Sequence, residues 1–272
     1  MNRPPLPDRD APQPASGPPG NLAEAYLEGL QRLVARIRES QAEPIQRACE
    51  RMARAIASGR AVFAFGSGHS VLPVLDLFPR YGSFVGFYPL ADPRLMWFAP
   101  AGPGGARELL WLERTEGYVA SFLKSHPLSA GDVLLVFSHG GLNAAPVEVA
   151  LAGRRAGASV VAVTSRLNAQ HSGATHSSGQ RLADIADVVI DNCTAPEDAQ
   201  VAVPGWPHPV AAASTVAFTA IAQALVAGTA GQLAAMGIRK RVFVSPNRPD
   251  VEDGHNEEVF REYERWVRSL WP

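Results

Sequence analysis

The sequence is short of cysteine, of net charge and of long apolar runs, and each shortage excludes a class of protein. Two cysteines, Cys49 and Cys193, are too few for a disulfide framework and lack the spacing of a metal site. A net charge of −1 and a pI near 6.7 argue against nucleic acid or an acidic membrane as the main partner. Because no run of about eighteen apolar residues occurs, we expect no membrane span. The N-terminus lacks a secretion signal pattern, so we expect a cytoplasmic protein.

The composition that remains supports a large folded unit. Hydrophobic residues make up 46% of the chain, enough for a substantial core. Residues 1–20 are rich in proline and have little to bury, so we predict a disordered leader followed by one domain, 21–272. Two helices are predicted in 21–58, with Pro44 marking a break between them. This pair must pack on the sheet or on another subunit.

After residue 60 the pattern alternates regularly between strand and helix. Such βα units predict a parallel sheet with right-handed crossovers. A long apolar helix is predicted near 210–236, a short edge strand at Arg241–Ser245, and an amphipathic helix at 256–272. We predict strands at 61–66, 83–88, 132–137, 159–164 and 187–191, and helices near 70–80, 108–124, 143–156 and 179–185.

Two strand-to-helix junctions are the most informative feature of the chain. The segments Gly66–Ser70 and Ser138–Asn143 each follow an apolar strand and precede a helical pattern. A helix that begins there presents free backbone N–H groups, and its dipole favours an anion. Thr164–Ser165 ends another strand at the same edge, where open α/β sheets place their ligands. The junctions therefore predict a small phosphorylated ligand.

The first junction is weak evidence for a dinucleotide. The third glycine position of the G-x-G-x-x-G pattern falls on Val71, and no acidic residue ends the following strand at the expected spacing. We therefore predict no cofactor and no metal.

In these loops and over most of residues 21–260, the chain resembles the sugar isomerase (SIS) domain family. Gly66, Gly68 and Ser70 match its G-x-G-x-S pattern, and Ser138, Gly141 and Asn143 match its S-x-S-G-x-T/N pattern. Gly140 stands where the family has a second serine; its backbone N–H remains as a donor. The stretch 156–164 also resembles the family's fourth strand.

Further segments resemble a branch described as phosphosugar-binding proteins or phosphosugar isomerases. They are Gly66–Ser70, Glu113–Gly117, His176–Asp187 and the ending that runs from Val244 to Asn256. The resemblance implies a three-layer αβα sandwich with a five-stranded parallel sheet in flavodoxin-type order, preceded by the helical pair. It also implies ligand sites near a dimer interface, so a homodimer or homotetramer is expected.

The residues expected to bind the phosphosugar follow from the junctions and the resemblance. Ser70, Ser138 and Asn143 would hold the phosphate, together with backbone donors of both loops. The full set is Gly66, Ser67, Gly68, Ser70, Ser138, His139, Gly140, Gly141, Asn143, Thr164 and Ser165.

Isomerisation between aldose and ketose needs a base to carry a proton between C1 and C2, and often a histidine or lysine to open the ring. Related isomerases use Glu and His. We expect Glu116 to be the base, ahead of Glu113 and Glu108, with His69 and His255 as further catalytic groups. Lysine is nearly absent from these loops, which disfavours Schiff-base chemistry.

Two other functions remain open. One is a sensor that binds a phosphosugar without converting it, and the other is a lyase that cleaves an ether of an amino-sugar phosphate. The Ser- and Gly-rich excursion 165–179, which holds His171 and His176, is predicted to be a lid or a partner surface. Phosphosugar isomerase is the favoured interpretation.

Overall fold

A computed structural model describes residues 21–271 of the protein, so the predicted leader lies outside the described residues. Within this part the helices are α1 (Leu22–Ser40), α2 (Ala42–Ala57), α3 (Val71–Leu75), α4 (Ala106–Leu112), α5 (Tyr118–Phe122), α6 (Ala144–Ala156), α7 (Arg166–His171), α8 (Leu182–Ile185), α9 (Ser214–Ala235) and α10 (His255–Leu270). The strands are β1 (Val62–Gly66), β2 (Phe87–Leu90), β3 (Val133–Phe137), β4 (Ser159–Thr164), β5 (Val188–Asp191), β6 (Ala199–Val201) and β7 (Val210–Ala212).

The main sheet has the predicted number of strands in the predicted order. Its five strands run parallel in the order β2-β1-β3-β4-β5, which is the flavodoxin-type order. Gly66 at the end of β1 is in register with Phe137 at the end of β3. The two junctions therefore leave neighbouring strands at the same height, on the carboxyl edge of the sheet.

Helices cover both faces of the sheet and make the predicted three layers. Alternate side chains of β1 enter opposite cores: Val62 and Ala64 face one, and Phe63 and Phe65 face the other. The first core holds residues of α1, α2, α3, α9 and α10, and the second holds residues of α4, α5, α6 and α8. Burial of one Phe side chain contributes about 1.5–3 kcal/mol to folding.

The N-terminal helices form the predicted pair, and α2 packs mainly on α9. A Cβ added to Gly228 of α9 would lie 2.5 Å from the Cys49 Sγ atom, so glycine permits this close approach. Cys49 and Cys193 are both buried, and burial raises the pKa of each thiol. Pro44 lies inside the first turn of α2 rather than between the helices, because a proline is tolerated there.

By length and composition α9 is apolar enough to cross a bilayer. Its buried side chains, among them Phe218, Ile221 and Leu225, belong to the core that α9 shares with α2 and the sheet. A core helix has the same composition as a spanning one.

Several element bounds differ from the prediction. The strand expected at 83–88 is β2, which begins later, at Phe87. The helix expected near 70–80 ends at Leu75. The helix expected at 108–124 is divided into α4 and α5. Gly117, directly before α5, has a φ of +89°, which is incompatible with a continuous helix. The expected edge strand at 241–245 makes only an isolated bridge between Val242 and Phe84.

Helix α7 and the β6–β7 hairpin were not predicted. Asp198 holds the hairpin to the start of α9, because its Oδ1 accepts the N–H groups of Ala213 and Ser214 at 3.0 and 2.6 Å. A carboxylate at a helix N-terminus is stabilised by the helix dipole.

Candidate functional site

The first loop turns back sharply at the end of β1. A Cβ added to Gly66 would lie 2.0 Å from the carbonyl oxygen of Ser70, so no side chain fits at Gly66. Residues 68–70 form one turn of 3-10 helix, in which the Ser70 N–H donates to the Ser67 carbonyl at 3.1 Å. Ser67 lies at the start of this turn and Ser70 at its end.

The second loop folds around its own serine. The Ser138 Oγ atom accepts the N–H of Gly141 at 3.1 Å, and Gly141 has a φ of +63°. A Cβ on Gly141 would lie 2.9 Å from the Thr164 Oγ1 atom, so the loop lies directly on the end of β4. Asn143 then precedes α6 with extended backbone angles.

Glu113, at the end of α4, joins the two loops. Its carboxylate accepts Ser67 Oγ at 2.8 Å and Asn143 Nδ2 at 2.9 Å, and its carbonyl accepts the Ala145 N–H of α6 at 2.9 Å. The residue is buried, and burial raises the pKa of the Glu113 carboxyl group. Arg114 lies 3.4 Å from the same carboxylate. One side chain therefore fixes the first loop relative to the second.

A cleft of about 190 Å³ opens beside Asn143. Glu116 stands on its wall, where its carboxylate accepts the Ser177 N–H at 2.7 Å and also the Ser177 hydroxyl. These hydrogen bonds lower the pKa of Glu116, so this carboxylate is ionised near neutral pH. The cleft is lined by Arg114, Glu116, Asn143, Ala144, Thr175 and His176.

His176 and Glu148 lie behind Glu116. The His176 Nε2 atom is 3.7 Å from Glu116 and 3.6 Å from Glu148, which lies on α6. The His176 side chain is only 8% exposed. Glu148 in turn accepts the N–H of Gly117 at 2.6 Å. The residues around Gly117 are thus held against α6 and the excursion.

The excursion 165–179 lies against the second loop. The Thr175 hydroxyl donates to the Leu142 carbonyl at 2.7 Å, and Ser177 reaches Glu116 as described above. Residues 166–171 of the excursion form α7. The segment predicted to be a lid or partner surface therefore forms one wall of the cleft.

Besides Ser67, Ser138 and Asn143, three more of the expected binding side chains have partners inside the fold. The Thr164 hydroxyl donates to the His139 carbonyl at 3.2 Å, and the buried Ser165 hydroxyl donates to the Thr194 carbonyl at 2.8 Å. The His139 Nε2 atom lies 3.1 Å from the Pro196 carbonyl, which can only accept, so Nε2 carries the proton. Its Nδ1 atom then accepts from Asn192 Nδ2 at 3.2 Å. These side chains support the second loop from behind.

The predicted catalytic residues are not all brought together. Glu116 lines the cleft. His69 is exposed in the first loop, with its ring edge against Trp97 at 4.4 Å between centroids. The His255 Nε2 atom donates to the Val242 carbonyl at 2.8 Å, and no hydrogen bond within residues 21–271 links its side chain to either loop.

Several residues of the site were missed, among them Glu148, Asn168 and Ser177. The sequence does carry a signal for Glu148, because it is the one charged residue in an otherwise apolar helical run, Ala144–Ala152. The Asn168 Nδ2 atom lies 3.3 Å from the position of a Cβ on Gly140, so it covers the second loop where a side chain is missing. Nothing in the sequence around Asn168 points to that placement, which depends on α7.

Comparisons with known proteins agree with this architecture. The family model described as "SIS domain" matches residues 25–165, a stretch that contains both loops and the Glu113 link. A UPF0309 protein from Streptomyces avermitilis is 39% identical over 246 residues, which cover 89% of this chain and 95% of that protein. The chain is an SIS domain protein of the UPF0309 family. A second UPF0309 protein, BH3325 of Halalkalibacterium halodurans, is 32% identical over 89% of this chain and 97% of its own length.

Solved structures share the fold of this SIS domain protein at low sequence identity. Phosphoheptose isomerase GmhA from Neisseria gonorrhoeae is 16% identical with a TM-score of 0.52, covering 77% of this chain and 97% of that chain. A phosphoheptose isomerase from Francisella tularensis has a TM-score of 0.50 at 13% identity over 76% of this chain and 95% of that chain. The described residues of the SIS domain protein contain no group of three or more His, Cys, Asp or Glu arranged to hold a metal ion.

Proposed function

We propose that this protein binds a phosphorylated sugar at the carboxyl edge of its sheet and isomerises it between aldose and ketose. One observation carries the proposal: the Glu113 carboxylate bonds to Ser67 and Asn143, so the two loops form one site rather than two separate turns. Membership of the SIS domain family supports a phosphosugar as ligand, and the phosphoheptose isomerases with the same fold bear names that fit it.

The phosphate would lie between the loops. The proposed donors are the hydroxyls of Ser70 and Ser138, the Asn143 amide, and the backbone N–H groups of both glycine-rich turns. Thr164, Ser165 and the His139 ring would act indirectly, because their side chains support the second loop. Because burial raises the pKa of Glu113, this carboxyl group takes up a proton beside a phosphate more readily than a solvated carboxylate would.

The sugar chain would extend from the phosphate into the cleft beside Glu116. As an ionised carboxylate, Glu116 would take the proton from C2 and return it to C1 of the intermediate enediol. The lowered pKa of Glu116 and the raised pKa of Glu113 separate a base from a carboxyl group that retains its proton more readily. His69, and His255 from a neighbouring subunit, are the proposed groups for opening the ring.

Phosphorus NMR with hexose, pentose, heptose and amino-sugar phosphates tests the proposal. We expect a new product resonance with at least one of them. Glu116→Gln should slow product formation by about 100-fold or more, and binding should persist because an amide oxygen still accepts from Ser177. Glu39→Gln, an exposed change at the end of α1, is the control and should leave the rate unchanged.

The other outcomes separate the remaining functions. A sugar phosphate that binds without product would replace the isomerase by a sensor, and release of an ether substituent would replace it by a lyase. A full rate in Glu116→Gln would overturn the catalytic assignment.

We propose further that the protein is cytoplasmic and forms a homodimer or homotetramer. Exposed apolar residues of α1 support self-association: Leu27 is 60% exposed and Val34 is 45% exposed. They line a groove of about 560 Å³ with Leu30, Gln31, Ala35 and Arg38.

A further inference from the structure

His176 holds a buried donor that has no hydrogen-bond partner among residues 21–271. The Ser178 backbone N–H donates to the His176 Nδ1 atom at 3.1 Å, so in the neutral ring the proton lies on Nε2. The Nε2 atom is buried and has no hydrogen-bond partner within the described residues. The side chain is more than nine-tenths buried, yet His176 lines the cleft beside Glu116.

Glu148 holds the matching acceptor. Its Oε1 atom accepts the N–H of Gly117, whereas its Oε2 atom is buried and unpartnered within residues 21–271. The Oε1 atom lies 3.6 Å from His176 Nε2, beyond hydrogen-bond distance. Leaving a buried donor and a buried acceptor unpaired is costly, and more so for a charged group.

A hydroxyl group held between the two side chains could serve both of them. It accepts from the His176 N–H through an oxygen lone pair and donates its own proton to the Glu148 carboxylate. A phosphate oxygen fits poorly, because two carboxylates, of Glu116 and Glu148, face the same point. The position therefore suits the neutral, hydroxylated part of a ligand rather than its charged end.

We propose that His176 and Glu148 form a subsite that reads one hydroxyl of the sugar chain and thereby positions that chain beside Glu116. This inference rests on the proposed function and deepens it. It restricts the substrate to phosphorylated polyhydroxy compounds that carry a hydroxyl next to the reacting carbons. Both residues are positioning groups, since the proton transfer itself is assigned to Glu116.

Calorimetric titration of the full chain tests the subsite. The probes are inorganic phosphate, D-ribose 5-phosphate, N-acetyl-D-glucosamine 6-phosphate, D-glucose 6-phosphate and the monodeoxy analogues of the last. Glu148→Gln keeps an oxygen for Gly117 and replaces the unpartnered oxygen by an amide donor, so the carboxylate that would accept the sugar hydroxyl is lost. We expect this variant to bind the wild type's preferred sugar phosphate about tenfold more weakly or worse, while its affinity for inorganic phosphate stays unchanged.

His176→Phe is the second variant, which retains an aromatic ring without the Nε2 donor. His171→Phe is the control, because His171 is exposed in the same excursion and bonds within α7. The wild type should bind one deoxy analogue about tenfold more weakly than the parent sugar phosphate, whereas Glu148→Gln should bind the two with equal affinity. The hydroxyl missing from that analogue is then the one that the subsite reads.

The results distinguish two failures. Sugar phosphates that bind the wild type and both variants equally would overturn the subsite, leave the proposed function intact, and assign the position to water. A wild type that binds none of the sugar phosphates would overturn the proposed function and the subsite with it.

Discussion

At the scale of single residues, the placement of Glu113 decides how the site is built. A carboxylate at the end of a helix is usually solvated, but here it is buried and bonded to Ser67 and Asn143. Its raised pKa means that the folded protein binds the proton more tightly than the unfolded chain does. Glu113 therefore costs stability where it is ionised.

This placement predicts a pH-dependent effect of Glu113→Gln. Because the pKa of Glu113 is raised in the folded state, stability falls as the pH rises from its unfolded value, near 4.5, through its folded value. The variant lacks this loss, so it should melt at a higher temperature than the wild type at pH 8, with the advantage shrinking toward pH 4. Thermal unfolding followed by circular dichroism measures the difference.

The matched control for that measurement is Glu108→Gln, on the same helix but exposed. Its carboxylate accepts the Gly104 N–H at 2.8 Å, a bond that the glutamine oxygen can also accept, so the melting temperature should change little at either pH. A constant advantage of Glu113→Gln across the range, or a wild type that is the more stable at pH 8, would contradict the burial argument.

At the scale of elements, the first loop depends on the absence of a side chain at Gly66. A Cβ there would meet the backbone oxygen of Ser70 at 2.0 Å, and a backbone atom cannot rotate away. Gly66→Ala should lower the free energy of unfolding by about 3 kcal/mol or more. It should also abolish sugar phosphate binding, because the 3-10 turn that carries Ser70 must shift.

Gly173→Ala is the control for Gly66→Ala. Gly173 lies in the excursion, with nothing within 4 Å of an added Cβ, and should change stability by less than about 0.5 kcal/mol. Urea unfolding of the two variants gives the comparison. A Gly66→Ala protein as stable as the wild type would mean that the loop accommodates a different path.

The elements also explain what the sequence made predictable. A strand buried on both faces of a parallel sheet has a continuous apolar sequence, so β1, β3 and β4 were predicted correctly. The order of the strands was expected from the family resemblance, and the sheet has that order. The position of the two loops followed from that order. Helix α7 was missed because it is short and lies in a Ser- and Gly-rich segment without apolar periodicity.

The side-chain contacts of the site were less predictable, because they join distant parts of the chain. Glu113 and Asn143 are 30 residues apart, and Glu116 and Ser177 are 61 apart. Sequence spacing carries no information on such pairs. Glu116 was singled out as a base, but its partner Ser177 and its neighbour Glu148 became evident only from the fold.

At the scale of the whole molecule, the exposed stripe on α1 predicts how copies associate. Leu27 and Val34 lie on one side of the helix, while Leu33 and Ile37 are buried in the core. The double variant L27E/V34E should convert the oligomer to a monomer, because it places charge in an apolar contact. Sedimentation velocity measures the change in mass.

Arg36→Glu, an exposed charge change on the same helix, is the control and should leave the oligomer intact. A wild type that sediments as a monomer would overturn the proposed assembly. An oligomer unaffected by L27E/V34E would move the interface to another surface.

The packing of α2 on α9 has a consequence for how the chain folds as it is synthesised. The Cys49 Sγ atom donates to the carbonyl of Leu225, a residue 176 positions later. Strand β1 likewise finds β3 only after an interval of 71 residues, from Val62 to Val133. Contacts this distant in sequence slow folding, since a long loop must close before they form. On the ribosome, the apolar face of α2 therefore stays uncovered until nearly the whole chain has emerged, and in that interval we expect it to need a chaperone.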